Sequence, residues 1–243
     1  MASTSEVGHT KNLSKLETMF ITCNGFGAIY NPSNPDLTIP ALSGFYTESK
    51  AALKLVKTTQ TPFDNIEGER KMLFKPLKPL ATKILAALYS SGVTKTVIDD
   101  AETINRKIQG KRADNKPEET PPGETPRDKI SVSQQSYDLQ IDFFEKQIEL
   151  ISIQPKYNPN ELPLKVVTLI SYKTQLQEIN TAVKEVYDPY NTAMNARDKK
   201  FYDQETGLVG KARLAKGYVK SVYGASSPEY KTVNALRFKV IKK

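Results

Sequence analysis

Tryptophan is absent from this chain of 243 residues, and cysteine and histidine occur once each, as Cys23 and His9. A single cysteine cannot close a disulfide within the chain, which excludes a secreted disulfide scaffold. The same scarcity excludes zinc sites built from several such ligands, and the paired Glu-x-x-His sequences of a ferritin-like di-metal bundle. A Ser-His-Asp or Cys-His arrangement would need His9 to fold back from a polar N-terminal stretch. No run approaches the roughly 18 apolar residues of a membrane span. Residues 1–12 lack the apolar core of a secretory signal. The default expectation is a soluble cytoplasmic protein, with export by a route that reads no N-terminal signal left open. Alternating strand patterns are nearly missing too. Residues 236–240 are the one candidate, and they fit a frayed helix equally well.

What is present is a stretch that occurs twice. Tyr30-Asn31-Pro32 and Tyr157-Asn158-Pro159 each open a segment, and a constant shift of 127 positions aligns the two without a gap. Leu37/Leu164, Leu42/Leu169, Thr47/Thr174, Val56/Val183, Lys57/Lys184, Pro62/Pro189, Arg70/Arg197 and Phe74/Phe201 are identical pairs. Phe45/Tyr172 and Phe63/Tyr190 are close substitutes. This reads as an internal duplication.

Helical spacing dominates the rest. Asn12 is positioned to cap a first helix carrying Leu13, Leu16, Phe20 and Cys23 on one stripe, where the thiol is expected to pack as a small hydrophobe. In the later segment Leu169, Tyr172, Leu176, Ile179, Val183, Val186 and Tyr190 alternate steps of three and four, a heptad seam. The earlier segment keeps that register with Leu42, Phe45, Ser49, Ala52, Val56, Thr59 and Phe63. Pro62 and Pro189 either start new helices or kink long ones, and the kink is expected because no loop-forming cluster surrounds them. A short helix is expected from Leu80 to Ser91, and another comes after a cap at Thr94. Residues 208–223 form a helix stopped by Gly224, and a capping box at Ser226 starts the last. Residues 110–127 hold four of the prolines with mixed charge and read as an exposed linker.

The expectation is therefore an all-α chain of two tandem four-helix bundle-like repeats, residues 1–110 and 133–243, joined by a Pro- and charge-rich linker over 111–132. Each repeat carries one long Pro-kinked helix, and internal duplication relates the two.

Net charge is +8, and residues 207–243 alone contribute nine basic side chains against Glu229. Arg213, Lys216 and Lys220 share one helical face; with Lys211, Lys239, Lys242 and Lys243 they are the candidate contacts to an anionic surface or to nucleic acid. Few arginines and no interleaved aromatics weaken the nucleic-acid reading. Gly207-Leu208-Val209-Gly210-Lys211 lacks the spacing of a phosphate-binding Walker loop and reads as a helix break. Arg70 and Arg197 suit an anion, but Glu67, Glu69 and Asp198 nearby favour local ion pairs. The loop residues Tyr30, Asn31, Pro32, Tyr157, Asn158 and Pro159 suit a structural role, the tyrosines packing on helix ends.

The wording of residues 7–12, 30–35, 75–77 and 218–230 (the last Tyr-Val-Lys-Ser-Val-Tyr-Gly-Ala-Ser-Ser-Pro-Glu-Tyr) resembles a family of bacterial all-helical proteins of no assigned activity. The resemblance runs the full length. It implies a free-standing bacterial helical protein and carries over no catalytic residue and no ligand. The leading expectation is a non-enzymatic structural or scaffold protein that works through helix-mediated contacts with a protein partner or with itself, with no cofactor. The alternative is binding to nucleic acid or an anionic surface through 207–243. An enzyme working with carboxylates, lysines and tyrosines alone is a third reading, for which no pair of residues stands out.

Overall fold

A computed structural model describes residues 4–111 and 136–241. Among the described residues the fold is all-α and no strand forms. Helix α1 is Thr4–Gly25, α2 Ile39–Phe74, α3 Leu77–Ser90 and α4 Lys95–Gln109; α5 is Tyr137–Ser152, α6 Val166–Tyr202, α7 Leu208–Tyr223 and α8 Pro228–Ala235. Most of the expected linker, along with the expected helix start near Ser133, lies outside the described residues.

Several boundaries differ from the sequence reading, each for a physical reason. α1 begins two turns before Asn12, which is buried inside the helix at 1% exposure. The Asn12 amide serves another segment: Nδ2 donates to the Lys239 carbonyl at 2.7 Å, and the Lys239 N–H donates to Oδ1 at 3.1 Å. His9, expected in a polar tail, is buried in the same helix. Its ring meets Phe201 edge-on, and Nδ1 lies 2.5 Å from the Tyr202 hydroxyl. α3 starts at Leu77 rather than after Pro79, since a proline in the first turn removes an N–H that has no helical acceptor. At α8 the cap is Ser227, not Ser226: its hydroxyl accepts from the Tyr230 N–H at 3.1 Å. The helix stops at Ala235, and residues 236–241 run on without helix.

Pro62 and Pro189 divide nothing. Each sits inside one continuous helix, of 36 residues in α2 and 37 in α6. Pro62 removes one backbone donor. In the turns before it Thr58, Thr59 and Thr61 donate their hydroxyls to the carbonyls of Lys54, Leu55 and Lys57. The heptad seam faces inward in both long helices. Leu42, Ser49 and Val56 are buried and alternate with half-buried Phe45, Ala52 and Thr59. Leu169, Leu176 and Val183 alternate with Tyr172, Ile179 and Val186 in the same way.

The chain folds as two compact units that do not follow the division 1–110 and 133–243. Unit 1 is Met1–Phe63 with Val186–Lys243, and unit 2 is Asp64–Glu185. Both boundaries fall inside the long helices, one residue after Pro62 and three before Pro189. A helix of 36 residues spans about 54 Å at 1.5 Å per residue. The helices after α2 pack on later parts of the chain.

In unit 2, α3 touches α4, α5 and the 3-10 turn Leu162–Leu164. Phe74, Leu77, Ile84, Leu88, Ile108, Phe144, Ile151 and Leu169 fill its core. In unit 1, α7 touches α8, α1 and the 3-10 turn Pro35–Leu37. There the core has two parts: Met19, Cys23, Tyr30 and Leu37 against Ala212, Ala215, Val219 and Val233, and Leu13, Leu16 and Leu53 against Phe201 and Leu208. At about 25 cal/mol per Å² of apolar surface, the aromatic-rich core of unit 2 gains more per side chain than the alanine-lined face of α7.

Candidate functional site

Tyr30 and Tyr157 are loop-closing residues. The Tyr30 hydroxyl donates to the Leu37 carbonyl at 2.8 Å, and the Tyr157 hydroxyl to the Leu164 carbonyl at 2.9 Å. Each bond ties a Tyr-Asn-Pro loop to the 3-10 turn that precedes a long helix. Both rings are 7% exposed, and burial pushes the Tyr157 hydroxyl up to about 12. Burial and the neighbouring Cys23 raise Tyr30 as well. Asn31 and Asn158 are exposed, Pro32 is buried and Pro159 half-buried. These residues shape the backbone and present nothing for a ligand to stack on.

The two arginines have different partners. Arg70 lies over the Tyr137 ring, its guanidinium carbon 4.0 Å from the centroid, and donates to Asn180 Oδ1 at 3.0 Å. Asn180 in turn donates to Asp138 at 2.8 Å, an oxygen that Lys184 also reaches at 2.9 Å. Glu67, which sequence proximity offered to Arg70, pairs with Lys71 at 3.0 Å instead. Arg197 is 4% exposed and binds Asp198 Oδ1 through Nε and Nη2 at 2.9 and 2.8 Å.

The basic candidates near the C-terminus are largely committed within unit 1. Lys211 is buried and pairs with Asp36 at 2.8 Å. Arg213 is exposed and donates to the Gln204 carbonyl at 3.3 Å. Lys216 donates to the Asn234 carbonyl in the last turn of α8 and to the Leu236 carbonyl just past it, and lies 5.3 Å from the Phe238 centroid. Burial lowers its pKa first, and Arg237 and Lys15 lower it further. Lys220 approaches the Tyr230 ring, and Lys239 uses its backbone on Asn12. Lys242 and Lys243 lie outside the described residues.

Sequence reasoning missed two grooves. One, in unit 2, has a volume of about 470 Å³ and is walled by Pro76, Pro79, Leu80, Pro163, Leu169 and Tyr172, with Lys83, Thr168, Ser171 and Gln175 completing it. Tyr172 donates its hydroxyl to the Leu73 carbonyl at 2.6 Å, and burial pushes it up to about 12. Leu162, Val167 and Ile170 stand exposed in the segment that forms one wall, at 67%, 70% and 45%. Val167 is one turn before Ser171, so it sits beside the groove on the helix surface. The other groove, in unit 1, holds about 430 Å³ between Phe45, Ala196, Lys199, Lys200, Thr206 and Lys211. The one signal in the sequence was the pair Phe45/Tyr172, a single position in both segments.

Among the described residues no three His, Cys, Asp or Glu side chains gather to hold a metal, and no helix is long and apolar enough to cross a membrane. Comparison with known proteins returns no matching family model, no matching curated protein and no matching solved structure.

Proposed function

We propose that the chain is a non-enzymatic helical scaffold that works through protein contacts, with the apolar groove of unit 2 as the contact surface. The observation that carries this reading is the groove's wall of prolines and aliphatic side chains beside exposed Leu162, Val167 and Ile170. Apolar side chains left in water at such density mark interaction surfaces. A groove of this size accepts the apolar stripe of an amphipathic helix. Tyr172 holds its proton on a backbone carbonyl and far above neutral pH, so it is not tuned for proton transfer.

The same proposal includes the tandem duplication of helical repeats. Support comes from α2 and α6 starting 127 residues apart, from the two matched tyrosine-to-carbonyl bonds and from the shared burial order on the seams. Each compact unit then combines the opening helices of one repeat with the closing helices of the other. The alternative reading, contact with nucleic acid or an anionic surface through 207–243, has weaker support because Lys211, Arg213 and Lys216 are engaged within the chain.

Light scattering over a concentration series, combined with cross-linking in native extract, tests the scaffold reading. The expected result is an assembly or a cross-linked partner converging on residues 160–175 and lost in Val167→Glu/Ile170→Glu. A strict monomer at every concentration, with no cross-link on this groove, overturns it.

A further inference from the structure

We propose that unit 1 carries a binding site for a phosphate dianion, free or borne by a small organic molecule, with Lys200 and Lys211 as its two principal ligands and Phe45 as its floor. The proposal stands apart from the apolar groove of unit 2 and does not depend on it.

Two ammonium groups approach one ring: Lys200 Nζ is 4.8 Å and Lys211 Nζ 5.3 Å from the Phe45 centroid. Both line the same 430 Å³ groove, with Lys199 and Thr206 beside them. Lys211 is 8% exposed, a rare state for a lysine; it lines this groove and pairs with Asp36 at 2.8 Å. The carboxylates now serving these lysines are monoanions on the water side: Glu48 beside Lys200 is 65% exposed and Asp36 beside Lys211 is 66% exposed. The Glu48 carboxyl is held below its usual range, by Lys200 first and with a contribution from Lys211, so both lysines act on one locality. The carboxylate of each pair lies in water, where solvent screening weakens its hold on the lysine. A single dianion that bridges both ammonium groups replaces two such pairs at once, which a second monoanion cannot do.

The backbone holds this arrangement in place. A Cβ on Gly207 would stand 2.5 Å from the Asp203 carbonyl oxygen, and one on Gly210 2.6 Å from that of Gln204. Only glycine lets the turn at 203–206 lie so close to the first turn of α7. Asp203 Oδ1 fixes that turn by accepting from the Glu205 N–H, the Thr206 N–H and the Thr206 hydroxyl at 3.1, 2.9 and 2.8 Å. The Gly-x-x-Gly-Lys stretch, which reads as a mere helix break, thus sets Lys211 at the groove beside Thr206. The N-terminal end of the 16-residue α7 adds positive potential there.

Titration of the full chain with inorganic phosphate and with phenyl phosphate, followed by calorimetry and by NMR, tests the proposal. Saturable one-to-one binding is expected with at least one probe at pH 7.5, weakening at pH 5.5 as phosphate loses its second charge. Tighter binding of phenyl phosphate points to an organic ligand, and equal binding to free phosphate. Lys200→Gln should weaken binding about tenfold, and so should Lys211→Gln if it folds. Glu48→Gln, which removes a competing carboxylate, should tighten it. Lys57→Gln, an exposed lysine elsewhere on α2, should change nothing. No saturable binding of either probe at millimolar concentration, or equal weakening by Lys57→Gln and Lys200→Gln, overturns the proposal.

Discussion

Phe45 and Tyr172 occupy one position in two segments 127 residues apart, and their surroundings differ in one consistent way. Tyr172 has a hydroxyl, spends it on the Leu73 carbonyl, and borders a groove of prolines and leucines. Phe45 has none and lies beneath two lysines. Position 200 corresponds to position 73 by the same shift, so a lysine stands in one segment where a leucine stands in the other. The framework around each groove is alike: a long helix, a 3-10 turn before it, and a shorter helix packed alongside. The lesson is that similar helical frames surround both grooves, while two or three side chains decide whether the lining is apolar or charged.

The comparison breaks most visibly at the seam. Leu42 and Leu169 are both fully buried, so alanine at either should cost about 3 kcal/mol in chemical denaturation. Similar losses sharpen the correspondence, and a loss at only one site breaks it. Gly210→Ala comes next, at about 2 kcal/mol, because its Cβ would press on the Gln204 carbonyl. Gly217→Ala on the same helix meets open space and should instead stabilise by about 0.5–1 kcal/mol. Tyr172→Phe makes the later position resemble the earlier one and should cost about 1 kcal/mol by removing the bond to Leu73.

The smallest effect at neutral pH concerns Cys23, which belongs to unit 1 and has no counterpart in unit 2. Burial pushes its thiol from 9.0 up to about 11, partly offset by a hydrogen bond with Tyr30. The folded state therefore favours the protonated thiol. That contribution to stability is whole below pH 9 and is lost as pH climbs through 11. Native protein should resist thiol alkylation at pH 8 and label fully in denaturant, so the rate of labelling reports the opening of unit 1. Rapid labelling of the native chain would contradict the burial.

The helices were legible because their apolar stripes repeat at helical spacing, and the matched proline and tyrosine positions were legible because the aligned segments differ by one constant shift. The first helix began earlier than its Asn12 signal because a buried asparagine bonding a distant backbone looks, in one dimension, like a cap. The basic face of Arg213, Lys216 and Lys220 read as solvated, yet Lys216 turns to carbonyls at 234 and 236 that only tertiary structure brings near. The grooves stayed hidden for the same reason: the proline wall at 76 and 79 meets Pro163 across 84 positions or more. The unit boundaries were hidden because helix length, not sequence order, decides which helices meet.

Native-state hydrogen exchange, read by mass spectrometry along a denaturant series, tests the central claim most directly. The account predicts that protected amides in 8–63 and 190–235 open together as one cooperative block, and those in 64–110 and 137–185 as another. Blocks that instead run with the chain in order, 1–110 opening apart from 133–243, would contradict it.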